Sequence, residues 1–516
     1  MDETLTRRGL LTGAACAATL AALDQPQAAA NPVGRGRPGG WDERLMRWAR
    51  DTWRSVVAMV DASTGLITDH IDSQLIERSG YTSPTNIGGY LWSIIVARDL
   101  RIVTPGEARR RIATTLTSLE RMDKHDASGM FFNWYDETNA EVLRVWPDNG
   151  AKVVPFVSSV DMGWLGAALH LVAEADPSNA RRARALFSAM RWDIFHDAGW
   201  WRPGGANYGG FWMEDPGRSG TALLPPTTGE GPDLWYHVGH HYDTAVSEAR
   251  MVTYLGIIRG QIPPEAYFAT FRTFPPDWDW QEMAPEGAWE QHLGVPVYQG
   301  AYTYRGMMVV PGWGGSMFEE LMPDLFVPES TWAPESWGRN HRLHVRAQRE
   351  HGLEDAKYGY WGFSPSSDPH GGYREYGVDA LGLNPDGYFS DHEKTDYRAN
   401  KVSQAHGDGV VTPHAAFLAM MYEPENAIRN LQKLQRDFDC YGRGGFFDAV
   451  ATKSGRVARR YLALDQSMIL GSIGNVLLDG GLRRWFATKE VERALRPVVA
   501  RERFNVGAKH VKPSLL

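Results

Sequence analysis

The stretch PFVSSVDMGWLGAAL (155–169) passes from an extended apolar approach into a helix-like run, with its one carboxylate, Asp161, at the join. A carboxylate there either complements a helix N-terminus, since Ser158-Ser159-Val160-Asp161 fits the Ser-x-x-acid capping pattern, or moves a proton. Other reactive side chains occupy comparable contexts. Glu375 and Asp379 share YREYGVDALG with Arg374 and Tyr376, where they bridge a Gly-rich loop, touch a substrate or take part in chemistry. Asp448 follows two phenylalanines in GGFFDAV, and Asp465 opens the apolar run of LALDQSM as a helix cap or a site residue. Thr412-Pro413 reads as N-cap and N1 proline, which puts His414 in a first turn, within reach of a ligand hydroxyl or merely part of the helix. Trp134, Tyr135, Trp313, Tyr360 and Trp361 each offer a flat face and a polar edge, suited to stacking on a sugar or to packing a core. His237, His240 and His241 cluster in a Gly/Pro-rich segment with no companion Cys and no His-Glu-x-x-His pattern, so neither a catalytic metal nor a cofactor is expected.

These residues need elements to hold them. Apolar residues recur mostly at helical spacing, and six helical hairpins are predicted, with first helices opening near Asn86, Asp161, Glu248, Ser316, Pro413 and Asp465. Each first helix is apolar and rich in small residues, as a helix buried on most sides would be. More charged, amphipathic partners follow at 104–122, 180–190, 339–356 and 424–438. A weak repeat supports the division: GMFFNWYD precedes SSVDMGW, and GGFFDAVA precedes LALDQSM. The expected fold is therefore all-α, an (α/α)6 toroid of six inner and six outer helices, forming a single domain over 31–516 with an insert at about 200–243. Loops entering the inner helices would line one end of the cavity, among them YTSPTN (81–86), FFNWYDE (131–137), WDWQE (278–282) and WGGS (313–316).

Composition narrows the ligand. The net charge of −8 leaves no polybasic footprint for nucleic acid, while 20 Trp, 20 Tyr and 19 Phe suit an aromatic, acidic cleft for a neutral oligo- or polysaccharide. Residues 1–30 read as a twin-arginine-type signal: Arg7-Arg8, an Ala-rich apolar run too short to span a membrane comfortably, and a small-residue site at 28–30. Export to the periplasm, envelope or exterior, with no stable membrane span in the mature protein, is the expectation. Gly13 spoils a lipobox at Cys16, and loss of the signal would leave Cys440 as a single thiol.

Across about 80–487, the motifs SSVDMGW, SEAR, YRGM, WGGSMFEELMPDL, WGRNHRLHVRAQ, YGYWGFSPSSDPHGGYREYGVDALG, DGVVTPHA, GGFFDAV and LALDQSM resemble the glucoamylase-like (glycoamylase) domain family. That family includes bacterial endo-β-1,2-glucanases and is related to a domain of cyclic β-glucan synthases. The resemblance implies an (α/α)6 barrel and glycoside hydrolysis by two carboxyl groups, with Asp161 and Glu248 as the pair. If they work as in those enzymes, configuration is inverted, Glu248 being the candidate acid and Asp161 the candidate base. The same cleft could instead serve a retaining transglycosylase or a noncatalytic envelope protein that only binds carbohydrate. A lyase acting on uronic acids would want a basic cleft, which this acidic chain does not promise.

Overall fold

The computed structural model describes residues 40–385 and 407–508. Residues 1–30, expected to be an export signal, lie outside the described residues, Cys16 among them; Cys440 is a buried free thiol. Each of the six apolar segments forms a helix near its expected start: Pro84–Asp99, Ser159–Ala175, Arg250–Ile258, Met317–Leu321, Pro413–Ala419 and Ala463–Leu477. Three begin on a serine whose hydroxyl accepts a backbone N–H three residues on: Ser83 from Asn86, Ser158 from Asp161 and Ser316 from Glu319. These caps satisfy donors that the helix itself cannot use.

Burial separates inner helices from outer ones. Fourteen of the sixteen residues of Pro84–Asp99 are buried, against six of the seventeen in its amphipathic partner Pro105–Arg121. Pro84–Asp99 packs between Ser159–Ala175 and Ala463–Leu477, and two adjacent glycines permit both contacts. A Cβ on Gly88 would meet the Trp164 carbonyl at 2.9 Å, and one on Gly89 would meet the Ser467 hydroxyl at 2.7 Å. Packing continues from Ser159–Ala175 to Arg250–Ile258 in one direction, and from Ala463–Leu477 through Pro413–Ala419 to Met317–Leu321 in the other. Arg250 then donates to the carbonyls of Glu319 and Glu320 at 2.7 and 2.6 Å, tying Arg250–Ile258 to Met317–Leu321.

The predicted partners form as Pro105–Arg121, Ala180–Ala189, Trp337–Glu350 and Pro424–Asp437. Sequence reading missed Trp41–Ala58, an amphipathic helix whose Trp48 meets Phe417 edge-on at 5.5 Å, and the C-terminal pair Gly481–Phe486 and Lys489–Val499. The all-α expectation also needs correcting. Val295–Tyr304 is a ten-residue strand in a four-stranded antiparallel sheet with Glu286–His292, Met307–Val309 and Gly507–Ala508. Two-residue turns join its first three strands, Leu293-Gly294 at φ 51° and 81° and Arg305-Gly306 at φ 47° and 75°, the positive-φ geometry that fits strand twist. The 200–243 insert is likewise ordered as strands: Gly210–Trp212 pairs with both Phe156–Ser158 and Leu234–Tyr236, and Ala206–Tyr208 pairs with His241–Tyr242. None of the helices among the described residues is long and apolar enough to cross a membrane.

Candidate active site

One rule of position gathers the site. Asn86, Asp161, Glu319 and Asp465 are each the third residue of an inner helix, and Glu248 stands in the turn just before Arg250–Ile258. Side chains in a first turn project past the helix end, toward the loops and into the positive end of the helix dipole.

Asp161 both helps to start its helix and faces the site. The Ser158 hydroxyl accepts from its backbone N–H at 3.3 Å, while its carboxylate accepts from Thr85 Oγ1 at 2.6 Å and Asn133 Nδ2 at 2.9 Å. With a donor on each oxygen, Asp161 is set up as an acceptor. Three residues along the same helix, the Trp164 indole N–H donates to Glu248 Oε2 at 2.6 Å. Glu248 keeps some exposure to the cleft, yet the surrounding protein desolvates it enough to push its carboxyl up to about 8; Trp164 opposes the shift, and the charges of Asp161 and Glu319 add to it. A carboxyl in that state holds its proton at neutral pH.

Glu319 is the residue that sequence reading missed. It occupies a second Ser-x-x-acid pattern, Ser316-Met317-Phe318-Glu319, and accepts from Ser316 Oγ at 3.0 Å. Burial pushes it to about 7. The Tyr242 hydroxyl beside them is kept protonated, first by burial and then by the fields of Glu248, Asp161, Glu319 and Glu375, so the four carboxyl groups act on one point. The signal for Glu319 was present in the same capping pattern that singled out Asp161.

A second carboxyl pair, Asp448 and Asp465, is buried with His414. Burial, then the adjoining Asp465 carboxyl, raises Asp448 well above its ordinary value; burial takes Asp465 to about 7 and lowers His414 to about 4. His414 Nδ1 lies 2.5 Å from Thr412 Oγ1 and 3.2 Å from Asp465 Oδ2. Ligand atoms of these three residues lie within 4.8 Å of one another, close enough to hold a small cation. Asp324, Glu329 and His341 are similarly close, and there Arg250 and Arg483 already supply the positive charge. Among the described residues, His237, His240 and His241 form no such group.

Glu248, Glu319 and Glu375 line a cleft of about 740 Å³ whose other wall is aromatic, with Trp200, Trp201, Trp278, Trp280 and Trp313. Of the predicted stacking residues, Trp313 is on this wall, and Trp134 is half-buried in a ring cluster with Tyr81 and Trp146. Three others pack elsewhere. Tyr135 is fully buried and donates to the Asp123 carbonyl; Trp361 is buried with its backbone bonded to Asn430; Tyr360 faces the outer helix Pro424–Asp437, donating to Asp437 at 2.7 Å. Arg374 is exposed and donates to Asp368 at 3.2 Å. Tyr376 and Asp379 also depart from the substrate-contact expectation. Tyr376 is buried against Val410, Ala449, Ala451 and Ala458, and Asp379 opens a buried turn packed on the Gly314–Gly315 backbone.

Residues 240–490 match the Glycoamylase family model, described as "Putative glucoamylase", and residues 47–197 match a family described as a protein of unknown function. The chain is similar to the glucoamylase-like family. The cyclic β-(1,2)-glucan synthase NdvB of Rhizobium meliloti is 29% identical over 267 residues, 49% of this chain but 8% of the synthase, so the chain spans less than a tenth of that relative. Two solved structures share the fold. The endo-β-1,2-glucanase of Talaromyces funiculosus with sophorose aligns with a TM-score of 0.64 at 15% identity, covering 92% of each chain. That of Chitinophaga pinensis, with sophorotriose and glucose, aligns at 0.61 and 15%, covering 89% of this chain and 98% of its own.

Proposed function

We propose that the protein is an exported glycoside hydrolase that cuts a neutral glucan, β-1,2-glucan first among the candidates, within an (α/α)6 toroid built on the six inner helices. Glu248 is the general acid and Asp161 the general base. The observation that carries this reading is the pairing itself: a carboxyl pushed to about 8, and so protonated, beside a carboxylate held by two donors, at the edge of an aromatic cleft. Glycoside cleavage needs one carboxyl to protonate the leaving oxygen and another to activate water from the opposite face. The similarity to NdvB and the fold shared with two β-1,2-glucanases favour this substrate class.

Glu319 supports a second assignment of the base, because it lines the cleft directly and its pKa of about 7 suits proton transfer near neutrality. The test is product release from a panel of neutral glycans by wild type, Glu248→Gln, Asp161→Asn and Glu319→Gln, each checked for folding. NMR of the first-formed anomer then reads the stereochemistry. Loss with Glu248→Gln and Asp161→Asn, with an inverted product, supports the assignment. Loss with Glu319→Gln but not Asp161→Asn moves the base to Glu319, and a retained anomer points to transglycosylase chemistry. Saccharide binding without turnover in wild type makes the protein a binder.

A further inference from the structure

Beyond the carboxyl groups, a line of rings leads away from the reacting centre. Trp313, on the cleft wall with Glu319, lies 5.7 Å from Trp280, and Trp280 lies 6.1 Å from Phe274. Phe274 stacks on Trp278 at 5.3 Å, and Trp278 lies 6.0 Å from Trp201. Phe271 and Phe274 are buried beneath, at 5% exposure each, while Trp201, Trp278 and Trp280 are 63%, 38% and 49% exposed. Ordinary packing accounts for the phenylalanines. It does not account for three open indoles on a shared base, contributed by two segments distant in sequence and continuous with the cleft. Exposed apolar groups clustered in this way mark a binding surface.

The chemistry names the occupant. Indole faces accept the C–H face of a sugar ring, and the carboxylates of Asp277 and Asp279, alternating with Trp278 and Trp280, can accept sugar hydroxyls. Arg202 is buried, its guanidinium centre 4.2 Å from Phe271 and 5.9 Å from Trp201, and donates to the Pro296 carbonyl, so the surface presents indole faces and carboxylates rather than an exposed cation. We infer that Trp201, Trp278 and Trp280, continuing from Trp313, form a track that holds a neutral glycan chain several sugar units away from the reacting bond. The inference rests on the proposed hydrolase reading for the identity of the glycan. It adds that this enzyme grips a long chain, and that the insert contributes to the grip through Trp201.

Full-length Glu248→Gln protein, titrated by calorimetry and tryptophan fluorescence with β-1,2-linked glucose oligomers of rising length and with the polymer, tests it. Affinity should rise with length. Trp201→Ala and Trp280→Ala should each remove about 5–30-fold of affinity for the polymer while leaving the disaccharide unchanged, and Trp280→Phe should restore part of it. A length dependence that survives the Trp201→Ala/Trp278→Ala/Trp280→Ala triple variant overturns the track, as does equal weakening of short and long ligands or preference for a uronic-acid polymer. Glycan release by wild type without any length dependence also overturns it, and leaves the hydrolase reading standing.

Discussion

Glu319 and Glu320 are neighbours in one short helix, and burial acts strongly on both, yet they are held in opposite states. Glu319 turns to the cleft, where Ser316 and the Gly314 N–H are its nearest donors, and its carboxyl rises to about 7. Glu320 turns to the back of the site, accepting from Asn340 Nδ2 at 3.1 Å and facing His341 Nδ1 at 2.5 Å; burial would raise it, but the His341 charge wins and lowers it. The same holds for Glu248 and Glu329. Arg250 lowers Glu248 less than burial raises it, whereas the same guanidinium grips Glu329 with two hydrogen bonds of 2.7 and 2.9 Å and, against burial, lowers it to about 2. In the cleft, burial outweighs the Arg250 charge and keeps Glu248 and Glu319 raised, and behind it directly paired cations keep Glu320 and Glu329 ionised. Burial sets the stakes and the partner decides the outcome.

The sharpest way to break that contrast is to neutralise one glutamate on each side. Glu248→Gln should cost about 10³-fold or more in kcat on the cleaved glycan, since general acid catalysis contributes about 10²–10⁴-fold, with no loss of melting temperature. Glu329→Gln should do the reverse in kind: it strands the Arg250 guanidinium in a buried site and should cost about 3–5 kcal/mol of unfolding free energy, measured by urea denaturation. If Glu329→Gln unfolds no more easily than Glu248→Gln, the structural role of the rear network is wrong.

Proton linkage sharpens the comparison next. A carboxyl raised from 4.5 to about 8 binds a proton in the folded state that the unfolded chain has already released, so its contribution to stability falls as pH climbs from about 4.5 to 8 and is then constant. Glu248→Gln lifts that penalty. The variant should therefore be more stable than wild type at pH 8, by roughly 2 kcal/mol or more, with the difference vanishing by about pH 4.5. Wild-type kcat/KM should fall above about pH 8 as the acid loses its proton. Denaturation curves across that range check the sign, and a variant equally destabilised at every pH would contradict it.

The inner helices were legible because each repeats an apolar, small-residue run, three of them behind a serine cap, and Asp161 because Ser158 and Asp161 share one such cap. Two kinds of information were not local. Glu319 carries the same pattern in SMFE, but only the fold brings it next to Glu248, and the partner of Glu248, Trp164, stands on a different helix eighty-four residues earlier. Nor does an aromatic residue announce its neighbour: Tyr360 follows a glycine in YGYWGF just as Trp200 and Trp313 of the cleft follow glycines, and only packing against Pro424–Asp437 assigns Tyr360 and Trp361 to the outer helix rather than the cleft. The sheet at 286–309 was missed because helical spacing was sought where alternation between two tight turns was the better template.

Tyr360 marks the outer edge of the contrast, where the expected effect is smallest. Its hydroxyl donates to Asp437 at 2.7 Å, and its ring lies 4.2 Å from the Lys433 ammonium, both on the outer helix and both in contact with water. Exposed polar contacts of this kind contribute little, because solvent competes for each partner. Tyr360→Phe should keep the ring packing and lose one hydrogen bond, for a change under about 1 kcal/mol in unfolding free energy and none in kcat/KM. A marked fall in turnover would extend the substrate's reach beyond the aromatic wall to the outer face of the helices, and the boundary between the proton-holding cleft and the scaffold around it would have to be redrawn there.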